Sequence, residues 1–455
     1  MEDSMKAWKH VFQEMTYVRI LALGYLAVIL LGAALLTLPI ASANGKSIGY
    51  FQALFTATSA TCVTGLVVLD TGTAFSVFGQ IIILLMIQVG GLGFMSLGVL
   101  LALCMHKQIS LRTRGLLQES MNSMQIGGVV RLVKTALCGT MIIEGAGAAL
   151  LAFRFIPVFG PVKGIYFSIF HSISAFCNAG FDLMGGYSGE YSSFVAFEDD
   201  ILINAVLMLL IILGGIGFFV WQDIMKKKLA FRKYVLHTKL VLCSTSFLIL
   251  FGTLLFYFFE RKNLLQGMSG KEQILAVLFS SVTARTAGFN TIDTGGLTTA
   301  SKLFNGVLMF IGGSPGSTAG GVKTVTVMVL LTYVWSSLRG QKGIQIMGRR
   351  LEEDAVKKAS NVLLISLILA VMSVIAISYI QPRLPIEDVI FEVLSAIGTV
   401  GMSTGITRKL NSASQIIIIL LMYCGRIGSM SFALSFTERR KTTSTQFPEE
   451  KIIIG

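Results

Sequence analysis

The sequence predicts an all-α polytopic membrane protein of four repeats. Each repeat is a helix, a re-entrant helix, an extended loop and a second helix, set with pseudo-fourfold symmetry about one central pathway. Three observations carry this reading: an apolar composition, an alternation of long and short apolar segments, and a fourfold recurrence of glycine landmarks. Of 455 residues, 54% are apolar and 13% charged, about half the charged fraction of an ordinary soluble domain. The 7 prolines and 47 glycines accompany long apolar runs, which excludes a disordered chain and a collagen. The cysteines Cys62, Cys104, Cys138, Cys177, Cys243 and Cys424 are scattered through apolar segments. With no CxxC pair and no histidine at ligand spacing, a disulfide scaffold and a zinc site both fail.

A hydrocarbon core about 30 Å thick needs roughly 20 apolar helical residues. Eight segments meet that length, near 17–40, 76–105, 129–156, 200–225, 236–259, 302–337, 360–380 and 412–437. The first is too long for a signal-peptide core and has no cleavage site after it, so it reads as a retained helix. Within each pair lies a shorter apolar stretch: Tyr50 to Thr61, Ile165 to Phe176, Ile274 to Thr283 and Ile386 to Ile397. None can span, and each is followed by irregular, glycine-bearing sequence, so each is read as entering the membrane and returning. Residues 51–57 also fit a surface helix.

This gives a cytoplasmic segment 1–16, repeat 1 at 17–106, a loop at 107–128, and repeat 2 at 129–228. Repeat 3 follows at 229–338 with an interruption at 311–321, then a loop at 339–359, repeat 4 at 360–437 and a tail at 438–455. Lysine and arginine concentrate on the side holding Lys226, Lys227, Lys228, Arg232 and Lys233. That side is read as cytoplasmic, with both termini inside. The net charge of +13 therefore faces anionic lipid headgroups or an acidic cytoplasmic partner, not nucleic acid.

Self-comparison aligns four glycines, Gly65, Gly180, Gly288 and Gly401, at separations of 115, 108 and 113 residues. Each follows a short apolar helix and a run of small or polar residues. A second register lies in the next long helix: Gly90-Gly91-Leu92-Gly93, Gly214-Gly215-Ile216-Gly217, Gly312-Gly313-Ser314-Pro315-Gly316 and Gly425-Arg426-Ile427-Gly428. These begin 25, 34, 24 and 24 residues after the respective first glycine.

A dehydrating cation needs oxygen ligands in place of water, and backbone carbonyls supply them without a fixed charge that would trap it. The candidate lining is Cys62-Val63-Thr64-Gly65, Cys177-Asn178-Ala179-Gly180, Arg285-Thr286-Ala287-Gly288 and Gly398-Thr399-Val400-Gly401. No acidic residue is among them, which argues against a divalent-selective carboxylate ring. The short helices aim partially negative C-termini inward, so a monovalent cation is the expected cargo. Helix packing is the competing account of these glycines and the preferred one for Gly90, Gly91, Gly93, Gly214, Gly215 and Gly217.

Together with FIGGSPGSTAGGVKT (Phe310 to Thr324), the four glycines make nearly the whole chain resemble the potassium-translocating subunits of the Trk/Ktr/HKT cation transporter superfamily. The resemblance implies potassium as the ion, one pore per protomer, a homodimer in a bacterial plasma membrane, and a cytoplasmic RCK-type, KtrA-like ring that binds nucleotide. It places no cofactor in this chain and leaves a sodium dependence open. In relatives a serine at the first glycine favours sodium, and Gly65 holds that position here.

Residues Gly312, Gly313, Ser314, Pro315, Gly316, Ser317, Thr318, Ala319, Gly320 and Gly321 make a poor helix, each glycine or proline weakening it by roughly 1 to 3 kcal/mol relative to alanine. The long segment must therefore break. The resemblance implies a blocking loop that moves on activation; a passive kink is the other account. A buried arginine is costly unless paired. The resemblance implies that Arg426 helps the loop close, and a structural pair with Glu392 or Glu144 is the alternative. Arg285 reads as a brace behind the lining, and Lys323 as a partner for carbonyls freed by the glycine run. The outer acids Asp70, Asp182, Glu190, Asp199, Asp200 and Asp293 could raise the local cation concentration. Arg339 to Lys358 fits a docking surface as well as a connector, and the apolar tail KIIIG is expected to touch a partner.

The four histidines form no HExxH, and neither a Walker loop nor an intramembrane acid pair is present, so an enzyme is not expected. A coupled secondary transporter remains the alternative, although four parallel repeats do not match two inverted halves.

Overall fold

The computed structural model describes residues 15–93, 95, 96, 98, 109–120, 128–228, 230–341, 343–429, 432 and 450. Repeat 1 contains α1 (Tyr17–Thr37), α2 (Tyr50–Thr61) and α3 (Val77–Leu92), followed by α4 (Leu111–Ser120). Repeat 2 contains α5 (Val129–Phe159), α6 (Pro161–Phe176), α7 (Ile201–Gly215) and α8 (Phe218–Lys227). Repeat 3 is built from α9 (Leu236–Glu260), α10 (Gly270–Thr283), α11 (Thr299–Phe310) and α12 (Thr324–Leu338). After a two-stranded hairpin, β1 (Gln345–Ile346) and β2 (Arg349–Arg350), repeat 4 contains α13 (Glu353–Ile380), α14 (Ile386–Gly398) and α15 (Ser412–Ile427).

Among the described residues, α1, α5, α9 and α13 are long and apolar enough to cross a membrane unbroken. Each opens a repeat. Leu31, Phe153, Leu250 and Tyr379 on these helices are exposed, as side chains facing hydrocarbon should be. Two re-entrant helices begin earlier than hydropathy predicts. The first turn of α6 is Pro-Val-Lys-Gly, with proline at the position where its missing N–H costs nothing. That of α10 is polar and fixed by a capping box, in which Ser269 Oγ accepts from the Glu272 N–H and the Glu272 carboxylate accepts from the Ser269 N–H.

The closing helices differ from the expectation. Segments 76–105, 200–225 and 412–437 read as continuous, with a break only in repeat 3. In the structure all four are interrupted: α3 stops at Gly93, α7 before Gly217 and α15 at Gly428, where φ is 80°, 97° and 96°. A left-handed or mirror-β residue cannot continue a right-handed helix. In repeat 2 the axis turns by 96° between α7 and α8. Gly93 and Gly217, read from the sequence as packing glycines, thus also end their helices, and Gly217 keeps its close approach to the Pro315 carbonyl.

The repeats close on one another in order. The closing helix of each packs on the re-entrant helix of the next: α3 on α6, α7 on α10, α11 on α14, and α15 on α2. This cyclic pattern brings the four re-entrant helices to a common axis.

A four-loop ring and the loop beneath it

Every re-entrant helix ends in the same backbone device. The residue two before the landmark glycine has positive φ: 56° at Val63, 58° at Asn178, 74° at Thr286 and 50° at Thr399. The glycines follow at 92°, 69°, 83° and 92°, with a residue of negative φ between. Alternation of the sign of φ turns successive carbonyls toward one side, whereas an extended strand points them alternately. For β-branched Val63, Thr286 and Thr399 the left-handed conformation costs about 1 to 2 kcal/mol each. Only a fixed surrounding maintains it.

Hydroxyls one turn back in the helix provide part of that surrounding. Ser59 Oγ accepts from the Gly65 N–H and Ser395 Oγ from the Gly401 N–H, both at 3.1 Å. In the other two repeats Ser174 donates to the Phe181 carbonyl and Thr283 to the Phe289 carbonyl, both at 2.7 Å. His171 adds a clamp in repeat 2. Its Nδ1 lies 2.7 Å from the Phe167 carbonyl and its Nε2 accepts from the Leu183 N–H at 3.0 Å, so the ring is neutral with the proton on Nδ1.

The four glycines form a closed ring in cyclic order. A Cβ on Gly65 would stand 2.5 Å from the Ala179 carbonyl oxygen and 3.1 Å from Gly180 Cα. On Gly180 it would stand 2.7 Å from the Ala287 oxygen and 3.1 Å from Gly288 Cα. Gly288 in turn meets the Val400 oxygen and Gly401, and Gly401 meets the Thr64 oxygen and Gly65. Any side chain here would strike a neighbouring repeat's carbonyl and occupy the axis.

Outside the ring is a cavity of about 170 Å³ lined by all four glycines together with Asp70, Asp182, Asp293 and Arg408. Three of the six outer acids singled out in the sequence thus face it. Asp200 does not; it caps α7 and pairs with Arg154 at 2.6 Å. Asp70 accepts from the N–H groups of Thr73 and Tyr191, tying repeat 1 to repeat 2. Burial, and then the neighbouring Asp70, push the Asp182 carboxyl up to about 7.

On the inner side, the chain between α11 and α12 forms a loop whose ends are drawn together. The Gly312 N–H donates to the Val322 carbonyl at 2.8 Å and the Thr324 N–H to that of Gly313 at 3.0 Å. The body of the loop lies on the α7–α8 elbow. Ser314 and Thr318 donate backbone N–H groups to the carbonyls of Gly215 (3.0 Å) and Gly214 (3.2 Å), and the Phe218 N–H donates to Gly316 (2.8 Å). Gly320 packs against the Thr399 side chain, and a Cβ on Gly321 would stand 3.1 Å from the Gly398 oxygen. The loop therefore touches the back of the ring itself.

Arg426 fastens it from repeat 4. One guanidinium nitrogen donates to the Thr318 carbonyl, the other to the carbonyls of Gly90 and, at 3.0 Å, Gly91. It does not pair with Glu392 or Glu144. Glu392 is held by Ser403 and Thr407, and Glu144 by Gln88 at 3.1 Å and, more loosely, Cys177. Lys323 donates to the Ala319 carbonyl at 2.6 Å, as the sequence reading anticipated. Arg426, Lys323, Ala319 and Gly321 line an inner cavity of about 530 Å³. Arg285 is buried, faces Ile212, Gly215 and Gly313 away from the outer cavity, and leaves its Nε without a partner among the described residues.

The glycines of the second register serve close approach. Gly90, Gly214 and Gly425 abut the carbonyls of Thr61, Phe176 and Ile397, one at the end of each of three re-entrant helices. Sequence reasoning gave no role to His171 and missed the positive φ at Val63, Asn178, Thr286 and Thr399. An acid at 144 within a long apolar segment was the available signal for the Glu144–Gln88–Cys177 cluster. The tail KIIIG lies outside the described residues.

Residues 4–444 match the family described as TrkH: Cation transport protein. The chain is 39% identical over 453 residues to the potassium/sodium uptake protein NtpJ of Enterococcus hirae, covering 98% of this chain and 99% of that one. It is 40% identical over 441 residues to the Ktr system potassium uptake protein B of Bacillus subtilis, covering 96% of each. The crystal structure of the potassium transporter TrkH from Vibrio parahaemolyticus superposes with a TM-score of 0.70 at 18% identity, covering 91% of this chain and 84% of that one.

Proposed function

The chain belongs to the TrkH cation transport protein family, and from that premise we propose that it takes up potassium through a central pore whose selectivity filter is the four-loop ring. The observation that carries this is the cyclic closure of Gly65, Gly180, Gly288 and Gly401, each preceded by backbone of alternating φ sign. Such a ring offers an alkali cation several carbonyl oxygens in place of its hydration shell and no fixed charge to hold it. The filter comprises Cys62–Gly65, Cys177–Gly180, Arg285–Gly288 and Gly398–Gly401. Arg285 contributes its backbone, and its side chain braces the loop from behind.

Residues Gly312–Gly321 act as the gate, with Arg426 as its latch. The reading is supported by the loop's contacts with Thr399 and Gly398 at the base of the ring and by the cationic group held there. The protein works as a homodimer in the plasma membrane with both termini cytoplasmic. A cytoplasmic RCK-type nucleotide-binding ring releases the gate, consistent with relatives named as components of a Ktr system. Potassium is the transported substrate, no cofactor resides in the chain, and catalysis is not part of its activity.

The test is substitution of each ring glycine by serine, with rubidium and sodium uptake measured in cells or proteoliposomes. Each serine is expected to lower the preference for potassium over sodium. If all four variants keep the parent's ion preference and apparent affinity, the filter assignment fails. A second reading, coupled secondary transport, is favoured by the potassium/sodium uptake name of one relative. Strict dependence of rubidium flux on a proton or sodium gradient would select it.

A further inference from the structure

We propose that α8 and the turn that follows it form a binding site for anionic phospholipid headgroups of the inner leaflet, coupled to the loop of repeat 3 through the α7–α8 elbow. The inference rests on the reading of Gly312–Gly321 as a gate for its effect on flux and on the proposed orientation for the choice of leaflet; the headgroup site itself is argued from the geometry of α8.

The 96° turn after Gly215 carries α8 across the direction of α7, as expected of a helix lying along a bilayer surface rather than through it. One face is fixed to the protein: Phe218, Val220 and Trp221 are buried, and the Trp221 indole donates to the Leu213 carbonyl at 3.1 Å. The other end presents Lys226, Lys228, Arg232 and Lys233, all exposed, with Met225 and Phe231 exposed among them. Lys227 is held by Asp223 at 2.7 Å, and the same carboxylate accepts from the Val235 N–H at 2.9 Å. This ties the turn to the end of α8, and among the described residues none of the four remaining exposed cations has an acidic partner.

Clustered cations interleaved with exposed apolar side chains match the headgroup zone of an anionic leaflet. Each such charge near the surface strengthens attachment about fivefold.

The coupling is a matter of backbone. The N-terminal N–H of α8, on Phe218, donates to Gly316 in the loop at 2.8 Å, and Gly217 approaches the Pro315 carbonyl so closely that a Cβ there would stand 2.6 Å from its oxygen. Gly214 and Gly215 hold Thr318 and Ser314 through their carbonyls. A rotation of α8 about the elbow cannot occur without disturbing the contacts that hold the loop under the ring. Headgroup attachment fixes α8 in the surface plane and so keeps the loop in place.

The test uses the full chain in vesicles of phosphatidylcholine, alone or mixed with phosphatidylglycerol, comparing the parent with the fourfold variant Lys226→Gln, Lys228→Gln, Arg232→Gln, Lys233→Gln. Lipid retained on the detergent-purified protein is counted by native mass spectrometry, and basal rubidium uptake is measured in parallel. The parent is expected to retain phosphatidylglycerol over phosphatidylcholine and to show lower basal uptake when phosphatidylglycerol is present. The variant is expected to lose the retention preference by tenfold or more and to behave in mixed vesicles as the parent does in phosphatidylcholine. Equal phosphatidylglycerol retention by parent and variant overturns the site. Lost retention with uptake still equally lipid-dependent overturns the coupling, and a parent that retains both lipids equally overturns the site. Ion preference in the ring-serine variants is read separately, so failure of the filter assignment is distinguishable from failure of this one.

Discussion

At the scale of single residues, buried polar side chains hold the ring rather than line it. Glu144 is nearly buried in α5 and satisfied by Gln88, with the Cys177 thiol beside it. Removing it strands the Gln88 amide in apolar surroundings, an error worth about 1 to 3 kcal/mol. Glu144→Leu should therefore lower the melting temperature in detergent clearly more than Glu144→Gln, which keeps an acceptor and a donor in place. Equal destabilisation would show that packing, not the hydrogen bond, is the contribution.

Asp182 supplies a pH test. Its carboxyl is pushed up to about 7 by burial and by Asp70, so the neutral form is favoured below that value and the anion above it. As external pH falls through about 7, the outer cavity loses a negative charge and the apparent affinity for potassium should decline. In Asp182→Asn the decline should be absent, with affinity at high pH already reduced. A profile identical to the parent's would remove Asp182 from any role in cation attraction.

At the scale of elements, the informative features are breaks. Gly217 has φ of 97° and no space for a Cβ beside the Pro315 carbonyl. Gly217→Ala combines a backbone conformation that is almost glycine-only, costly by about 1 to 3 kcal/mol, with a direct clash, and should loosen the elbow and the loop together. If the loop gates the pore as proposed, raised basal rubidium flux is the expected outcome, and flux at the parent's level in a folded protein would show that the elbow does not control the loop.

The role proposed for Arg426 makes a parallel prediction. Arg426→Gln retains a donor but removes the charge that bridges Thr318 to Gly90 and Gly91. Basal flux should rise severalfold, and deletion of Gly312–Gly320 should raise it further. Unchanged flux in the deletion, with insertion verified, would leave the loop a passive kink. The four breaks also show where sequence reasoning stopped short. GGSPG announces an interruption through its proline and glycine content, whereas Gly93, Gly217 and Gly428 stand one or two residues past the last turn of helices whose own ends already carry glycine. Each glycine in such a helix costs only about 1 kcal/mol, and with no proline beside it tertiary contacts decide whether the helix ends or continues.

At the scale of the whole molecule, four units packed head to tail, α3 on α6, α7 on α10, α11 on α14 and α15 on α2, leave one axis and two cavities on it. The outer cavity is bounded by the ring glycines and the inner by the loop, Lys323 and Arg426. A parallel arrangement places Lys226 and Arg339 on one membrane face and Asp293 and Lys46 on the other. Single cysteines at these four positions in a cysteine-free background should react with a membrane-impermeant maleimide from outside only at 46 and 293. Labelling of all four from one side would contradict the parallel repeats.

The order of long and re-entrant segments, the approximate place of each re-entrant helix and the positions of the four glycines follow from the sequence by itself, because they depend on local hydropathy and on a repeat visible along the chain. Its position just after the glycine run also placed Lys323 near the carbonyls it binds. The ring's closure, the left-handed turn at Val63, Asn178, Thr286 and Thr399, the seat of the loop on the α7–α8 elbow and the choice of Thr318 and Gly90 over Glu392 and Glu144 as partners for Arg426 were decided only in three dimensions. Each joins groups about a hundred or more residues apart or holds a residue in a conformation that its type disfavours. No local propensity encodes such an arrangement; it is stable because neighbouring repeats leave no other space.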